Sequence, residues 1–181
     1  MIWLDGLDLP QYQHFPVHFA QHYSQPRYPA KDATSSELHF PWSDMESELM
    51  ALPGPHRIVR YTSKEQGKEG QDVSVRLGAQ CEHLQAGAMS SSARENASAV
   101  YHIIDGEGQT SIGEVTIKWT KGDTFAIPAW QPYSHQVSHI RKNTGANWKA
   151  TTSTFLFRFD DLPMLKALNY YRNENEGFLD A

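Results

Sequence analysis

The chain has 181 residues, enough for one domain with a proper core and some decoration. Sixteen basic against 21 acidic residues leave a formal net charge of −5, which argues against a nucleic-acid or anionic-membrane surface. A hydrophobic content of 39% places it on the folded side of the disorder boundary, and no run approaches the roughly 20 apolar residues of a membrane span.

Cys81 is the only cysteine, so no internal disulfide is possible, and the opening MIWLDGLDLP has no apolar core of signal-peptide length. The expectation is a soluble cytoplasmic protein without membrane or nucleic-acid partners. Residues 1 to about 40 carry many aromatics and histidines, prolines at 10, 16, 26 and 29, and no sustained period. They read as an extended arm that packs on the rest of the protein or on a second subunit, with a homodimer as the expected assembly. His14, His18 and His22 would align on a helix, but Pro16 sits among them; packing residues are the first reading and a metal site the rival. Ser43 to Glu46 has the form of a capping box, and Met45, Leu49 and Leu52 at helical spacing predict a short helix from Asp44 to Leu52, stopped by Pro53-Gly54-Pro55. His56–Tyr61 reads as the first strand, 62–71 as a loop, and 72–84 as one or two further strands. Asn96-Ala97-Ser98 is a sequon that carries little weight in a chain read as non-secreted.

From Ala99 to His135 the chain alternates apolar and polar residues, turns at Asp105–Gly108, alternates again, turns at Lys121–Asp123, and alternates a third time. Period-2 patterning broken by glycine turns marks short antiparallel strands with one buried face. Pro128 belongs at a strand end, where its missing N–H is not needed. A polar loop, 141–152, precedes a closing strand, Ser153–Phe159, that puts Phe155, Phe157 and Phe159 on one face. Asp160 or Asp161 caps a last helix with Pro163 in its first turn. The tail from Asn173 on reads as loose. The fold class is therefore all-β, a double-sheet jelly-roll barrel over 56–160, with an arm and short helix before it (1–55) and a helix and tail after it (161–181).

Several landmarks resemble the cupin superfamily, and in particular the C-terminal cupin half of gentisate 1,2-dioxygenases. Trp3-Leu4-Asp5-Gly6-Leu7-Asp8 is similar to the segment joining that family's two cupins, and Phe40-Pro41-Trp42 to the stretch just after that segment. Arg60-Tyr61, the block from Val100 to Gly108, the block from Gly122 to Trp130, and the ending from Asp161 to Arg172 resemble successive landmarks of the second cupin. The resemblance implies ring cleavage of gentisate with O2, at an Fe(II) held by three histidines in an N-terminal half that this chain lacks.

The resemblance also implies where a cupin's own metal ligands would stand. Counting from Gly106, the His-x-His pair falls on Ser92 and Arg94 and the Glu on Ala99; counting from Pro128, the last His falls on Tyr133. No histidine lies between His83 and His102, so no register restores the pair. No metal or other cofactor is expected, and ring cleavage is not expected from this chain alone. Residues in register with the lost ligands should face the interior: Ser92, Arg94, Ala99, Tyr101, Tyr133 and His135, with His102 pointing out. Ser92, Arg94, Tyr101 and Trp130 are the candidate contacts to a small aromatic or carboxylate ligand. Arg94 would meet its anion or bend to the rim. His135, with a near-neutral pKa, and Tyr133 are the candidate catalytic pair. His139 lies on the same face as His135 but roughly 13 Å along, too far to share a metal. Three readings result: a metal-free binding or assembly module, a metal-independent enzyme acting by proton transfer on a small aromatic or polyketide-like acid, and one half of a split dioxygenase.

Overall fold

The computed structural model describes residues 4–7, 9–15, 22, 24, 39–64, 67–68, 70–138, 141–142, 149–150 and 153–174. Within them the helices are α1 (Leu9–His14), α2 (Trp42–Ala51) and α3 (Leu162–Ala167). The strands are β1 (His56–Arg60), β2 (Gly78–Gln85), β3 (Ala99–Asp105), β4 (Glu107–Ile112), β5 (Val115–Thr120), β6 (Thr124–Ile127), β7 (Tyr133–Val137), β8 (Arg141–Lys142), β9 (Lys149–Ala150) and β10 (Ser153–Asp160). A five-stranded sheet of order β1-β2-β10-β3-β6 faces a three-stranded sheet of order β5-β4-β7, and every pairing is antiparallel. This is the double-sheet jelly roll that the period-2 pattern predicts.

Alternation decides which side chains enter the interior. β3 buries Ala99, Tyr101 and Ile103, β7 buries Tyr133, His135 and Val137, and β10 buries Thr154, Leu156, Arg158 and Asp160. β2 is buried on both faces. Gln80, Glu82 and Leu84 point inward, while Cys81 lies under α2 in a cluster with Met45, Leu49 and Val59. Burying Met45 and Leu49 against that outer face is what holds α2, since propensity alone does not stabilise a ten-residue helix. Gly106 joins β3 to β4 at φ 101°, and a Cβ there would run into Thr154. β6 stops at Ile127, one residue before Pro128.

Some boundaries differ from the sequence expectation. α2 begins at Trp42 with Pro41 as its N-cap, whose carbonyl accepts the Asp44 and Met45 amides, so Ser43 lies inside the helix and caps nothing. Residues 72–77 are bends with one bridge from Asp72 to Thr62, and the strand begins only at Gly78. The polar stretch after 140 includes the β8–β9 ladder. At α3, Asp160 Oδ1 accepts the Leu162 amide, while Asp161 Oδ1 turns to the Ser98 amide. The three phenylalanines of β10 face outward: Phe159 packs on Gly6, and Phe157 on Tyr61. His18 and His139 lie outside the described residues. Asn173 and Glu174, expected in a loose tail, bond across to 94–95: Glu95 and Asn173 form a bridge, and the Glu174 amide donates to the Arg94 carbonyl.

Candidate functional site

At one end of the barrel the inner side chains of β1, β2, β3, β7 and β10, with the segment Ser90–Ala93, surround a cavity of about 280 Å³. For scale, about 150 Å³ suffices for benzene. A larger open groove of about 770 Å³ lies outside the barrel, between the segment Leu4–Leu9 and the edge of β6. Its lining is mostly apolar, and two of its carboxylates, Asp160 and Asp161, are held by Arg60 and Arg158 and by the Ser98 amide, so the smaller cavity is the chemical candidate.

Glu82 anchors the wall on β2, 2% exposed. Gln80 Nε2 donates to its Oε1 at 2.8 Å, Tyr101 Oη donates to the same oxygen at 2.9 Å, and His56 Nε2 lies 2.8 Å from Oε2. Burial opposes its ionisation, but the His56 hydrogen bond and nearby positive charge overcome that and pull its pKa down to about 2. Glu82 is therefore a buried carboxylate at neutral pH.

Arg158, on β10, is 4% exposed and fully engaged. Its Nη1 donates to Tyr133 Oη at 3.0 Å and its Nη2 to Glu95 Oε1 at 2.6 Å, while Nε lies 3.0 Å from Asp160 Oδ2. Asp160 in turn holds Arg60, which also bonds Asp72 and Gln80. A buried guanidinium needs this many partners, because a charge without them costs several kcal/mol.

His135, on β7, is 1% exposed. Trp119 Nε1 donates to Thr110 Oγ1 at 2.8 Å, and Thr110 Oγ1 lies 2.8 Å from His135 Nδ1. Among the described residues Nδ1 is the one acceptor in reach of the Thr110 hydroxyl proton; assigning that proton to Nδ1 places the imidazole proton on Nε2. Nε2 is buried with no hydrogen-bond partner among the described residues, and His135 is one of the residues that line the cavity. Burial lowers the His135 pKa to about 4, so the ring is neutral at pH 7 and the near-neutral value expected from the sequence does not hold. Burial likewise pushes the Tyr133 hydroxyl up to about 12.

Of the residues anticipated from the sequence, Ser92, Tyr101, Tyr133 and His135 line the cavity, Ser92 at its exposed mouth. Ala99 is buried in the apolar core. His102 points outward, with Nδ1 2.9 Å from Thr124 Oγ1. Arg94 and Trp130 stand apart from the cavity. Arg94 Nε donates to the Trp130 carbonyl at 3.1 Å, and its guanidinium lies 5.0 Å from the Trp130 ring centre. The cause is a one-residue shift of phase: Ala93 bridges Tyr133, so Glu95, not Arg94, reaches in to Arg158. Sequence reasoning missed His56, Gln80, Glu82 and Arg158. The signal available was phase, because Glu82 alternates with Cys81 and Arg158 with the aromatic face of β10.

Comparison with known proteins gives this arrangement a setting. No family model matches the chain. It is 23% identical to gentisate 1,2-dioxygenase 1 of Aquipseudomonas alcaligenes over 95% of its own length and 53% of that protein's. Identity to a gentisate 1,2-dioxygenase of Streptomyces sp is 28%, over 72% of this chain and 33% of that protein. A crystal structure of a point variant of salicylate 1,2-dioxygenase from Pseudoaminobacter salicylatoxidans superposes with a TM-score of 0.69 at 25% identity, covering 92% of this chain and 53% of that one.

The fold is a cupin-type jelly roll, and the chain resembles one half of gentisate 1,2-dioxygenase. It spans about half the length of the first of these relatives. Ser92, Arg94, Ala99 and Tyr133, the positions the sequence count offered, carry no imidazole or carboxylate, and Glu95, which turns inward in place of Arg94, is taken up by Arg158. Among the described residues no three His, Cys, Asp or Glu side chains are placed to hold one ion. Glu82 and His56 are spent on each other, and a lone imidazole on β7 is not an Fe(II) site. The donor set among the described residues does not fit the Fe(II) that the resemblance implies.

Proposed function

We propose that this cupin binds one small organic molecule at the polar end of its barrel, through hydrogen bonds and ring contacts. The observation that supports the reading is His135, which lines a cavity large enough for a single ring and whose buried Nε2 has no partner among the described residues. Buried polar groups are as a rule hydrogen-bonded, so one left without a protein partner beside a void is open to a ligand or an ordered water. Tyr101 and Tyr133 supply ring surface next to it, with the Tyr101 ring centre 4.7 Å from that of His135. Binding is favoured over proton transfer because burial makes His135, lowered to about 4, a weak base and Tyr133, raised to about 12, a weak acid near pH 7. The test is ligand-detected NMR on the full chain with a panel of single-ring compounds, repeated on Ser92→Trp, which blocks the mouth. Binding that disappears in Ser92→Trp is expected; a panel with no binder would sink the reading.

One further observation favours a second role. The chain matches about half of longer dioxygenases, and an apolar groove of about 770 Å³ borders Leu4–Leu9. In this reading the chain is one half of a two-chain assembly, with ring cleavage supplied by a separate iron-bearing cupin. Activity recovered on mixing with such a cupin, and lost when Leu7 is made Asp, would support it.

A further inference from the structure

We infer that the molecule bound in the barrel is an uncharged hydroxylated ring of the phenol type rather than a carboxylic acid. This deepens the binding reading above and rests on it. The charges around the cavity decide the matter. Among the described residues Arg158 is the only arginine or lysine on the cavity wall, and it already contacts two carboxylates, Glu95 and Asp160, and the Tyr133 hydroxyl. Following the ion pairs outward adds Arg60 and Asp72, so three carboxylates share two guanidiniums. Glu82 adds a fourth carboxylate, partnered by one imidazole and two neutral donors. Whatever charge His56 carries, these surroundings hold no surplus of positive charge. Arg94, the cation that the sequence offered as an anchor, is occupied with Trp130 outside the cavity. A bound carboxylate would therefore be desolvated next to Glu82 without a free cation among the described residues to meet it.

The polar groups that remain are complementary to a hydroxyl. His135 Nε2–H needs an acceptor, and Glu82 Oε2, which accepts from His56, retains capacity for a further donor. A hydroxyl is both at once. The neighbouring rings of Tyr101 and Tyr133 favour an aromatic body for the rest of the molecule.

The experiment is isothermal titration of the full-length wild-type chain at pH 7 with phenol, hydroquinone, benzoate and salicylate, with the His135 ring signals followed by NMR. Phenol and hydroquinone should bind and shift those signals, with the two acids at least about tenfold weaker. In Glu82→Gln the gap between benzoate and phenol should narrow; an unchanged gap in a folded variant overturns the charge argument. If that variant does not fold, the wild-type comparison still decides. Benzoate binding as tightly as phenol, with the same His135 shifts, overturns this inference and leaves the binding reading intact. No compound moving His135 overturns both.

Discussion

Along β10, Leu156 belongs to an apolar cluster with Leu84, Ile103 and Trp119, whereas Arg158, two residues on, sits among Glu95, Asp160 and Tyr133. Both side chains point into the same barrel and both are almost wholly buried. One end of the interior is thus held by close packing, where neighbours need only fill space. The other is held by charges and hydrogen bonds, where each group depends on a named partner. Such polar ends are conditionally stable: complete, they specify one arrangement, and with one member removed they carry an unpaired buried charge. A cavity is tolerated at the polar end because its walls hold each other in place.

The contrast is open to direct perturbation. Arg158→Leu should cost about 3–5 kcal/mol in urea unfolding, since it takes the guanidinium from Glu95, which keeps only tyrosine hydroxyls, and leaves Asp160 to Arg60. At the apolar end Leu156→Ala should cost about 2–5 kcal/mol by leaving a void, a loss indifferent to pH. The polar end, by contrast, should weaken in two acid steps. His135 ionises near 6.5 when unfolded and about 4 in the fold, so the unfolded chain takes the proton first. Stability is then undiminished above about pH 6.5 and falls as pH drops towards 4. Glu82 goes from 4.5 to about 2, so its contribution is present above pH 4.5 and is lost as pH falls towards 2. Each step should amount to about 3 kcal/mol by proton linkage. In urea midpoints measured against pH, His135→Asn should remove the upper step and Glu82→Gln the lower. A single step in the wild type would contradict both assignments.

Smaller effects sharpen the boundary between the regions. Trp119→Phe removes the donor to Thr110 and part of a buried ring packed over Gly108, a loss of about 1–3 kcal/mol, and it frees the His135 tautomer, visible in its 15N shifts. Arg94→Ala should cost less than about 1 kcal/mol, the scale of an exposed cation–π contact, and should leave binding in the barrel unchanged. A large loss of binding there would return Arg94 to the site.

Much of this was legible from local pattern. The alternation from Ala99 to His135, the glycine turn at Gly122 and the stop before Pro128 correspond to β3 through β7, because a strand's side-chain period depends only on the backbone. The inward direction of Tyr101, Tyr133 and His135 came from the same rule. The rule failed where regular strand was interrupted. Between Ser90 and Asn96 a single-residue shift exchanged Arg94 for Glu95. It was also silent on which face of β10 is the inside: three phenylalanines suggest a core, yet they pack against Gly6 and Tyr61 on the outer side and leave Arg158 within.

By itself the sequence determined the strands from β3 to β7, their turns and the two-faced character of each, because these are matters of residue type and short-range spacing. Only the tertiary structure decided which face of each strand is enclosed and which distant groups meet. Glu82 finds His56 from 26 residues away and Arg158 finds Glu95 from 63. Those meetings depend on strand order and on what covers the outer face, which no local period encodes.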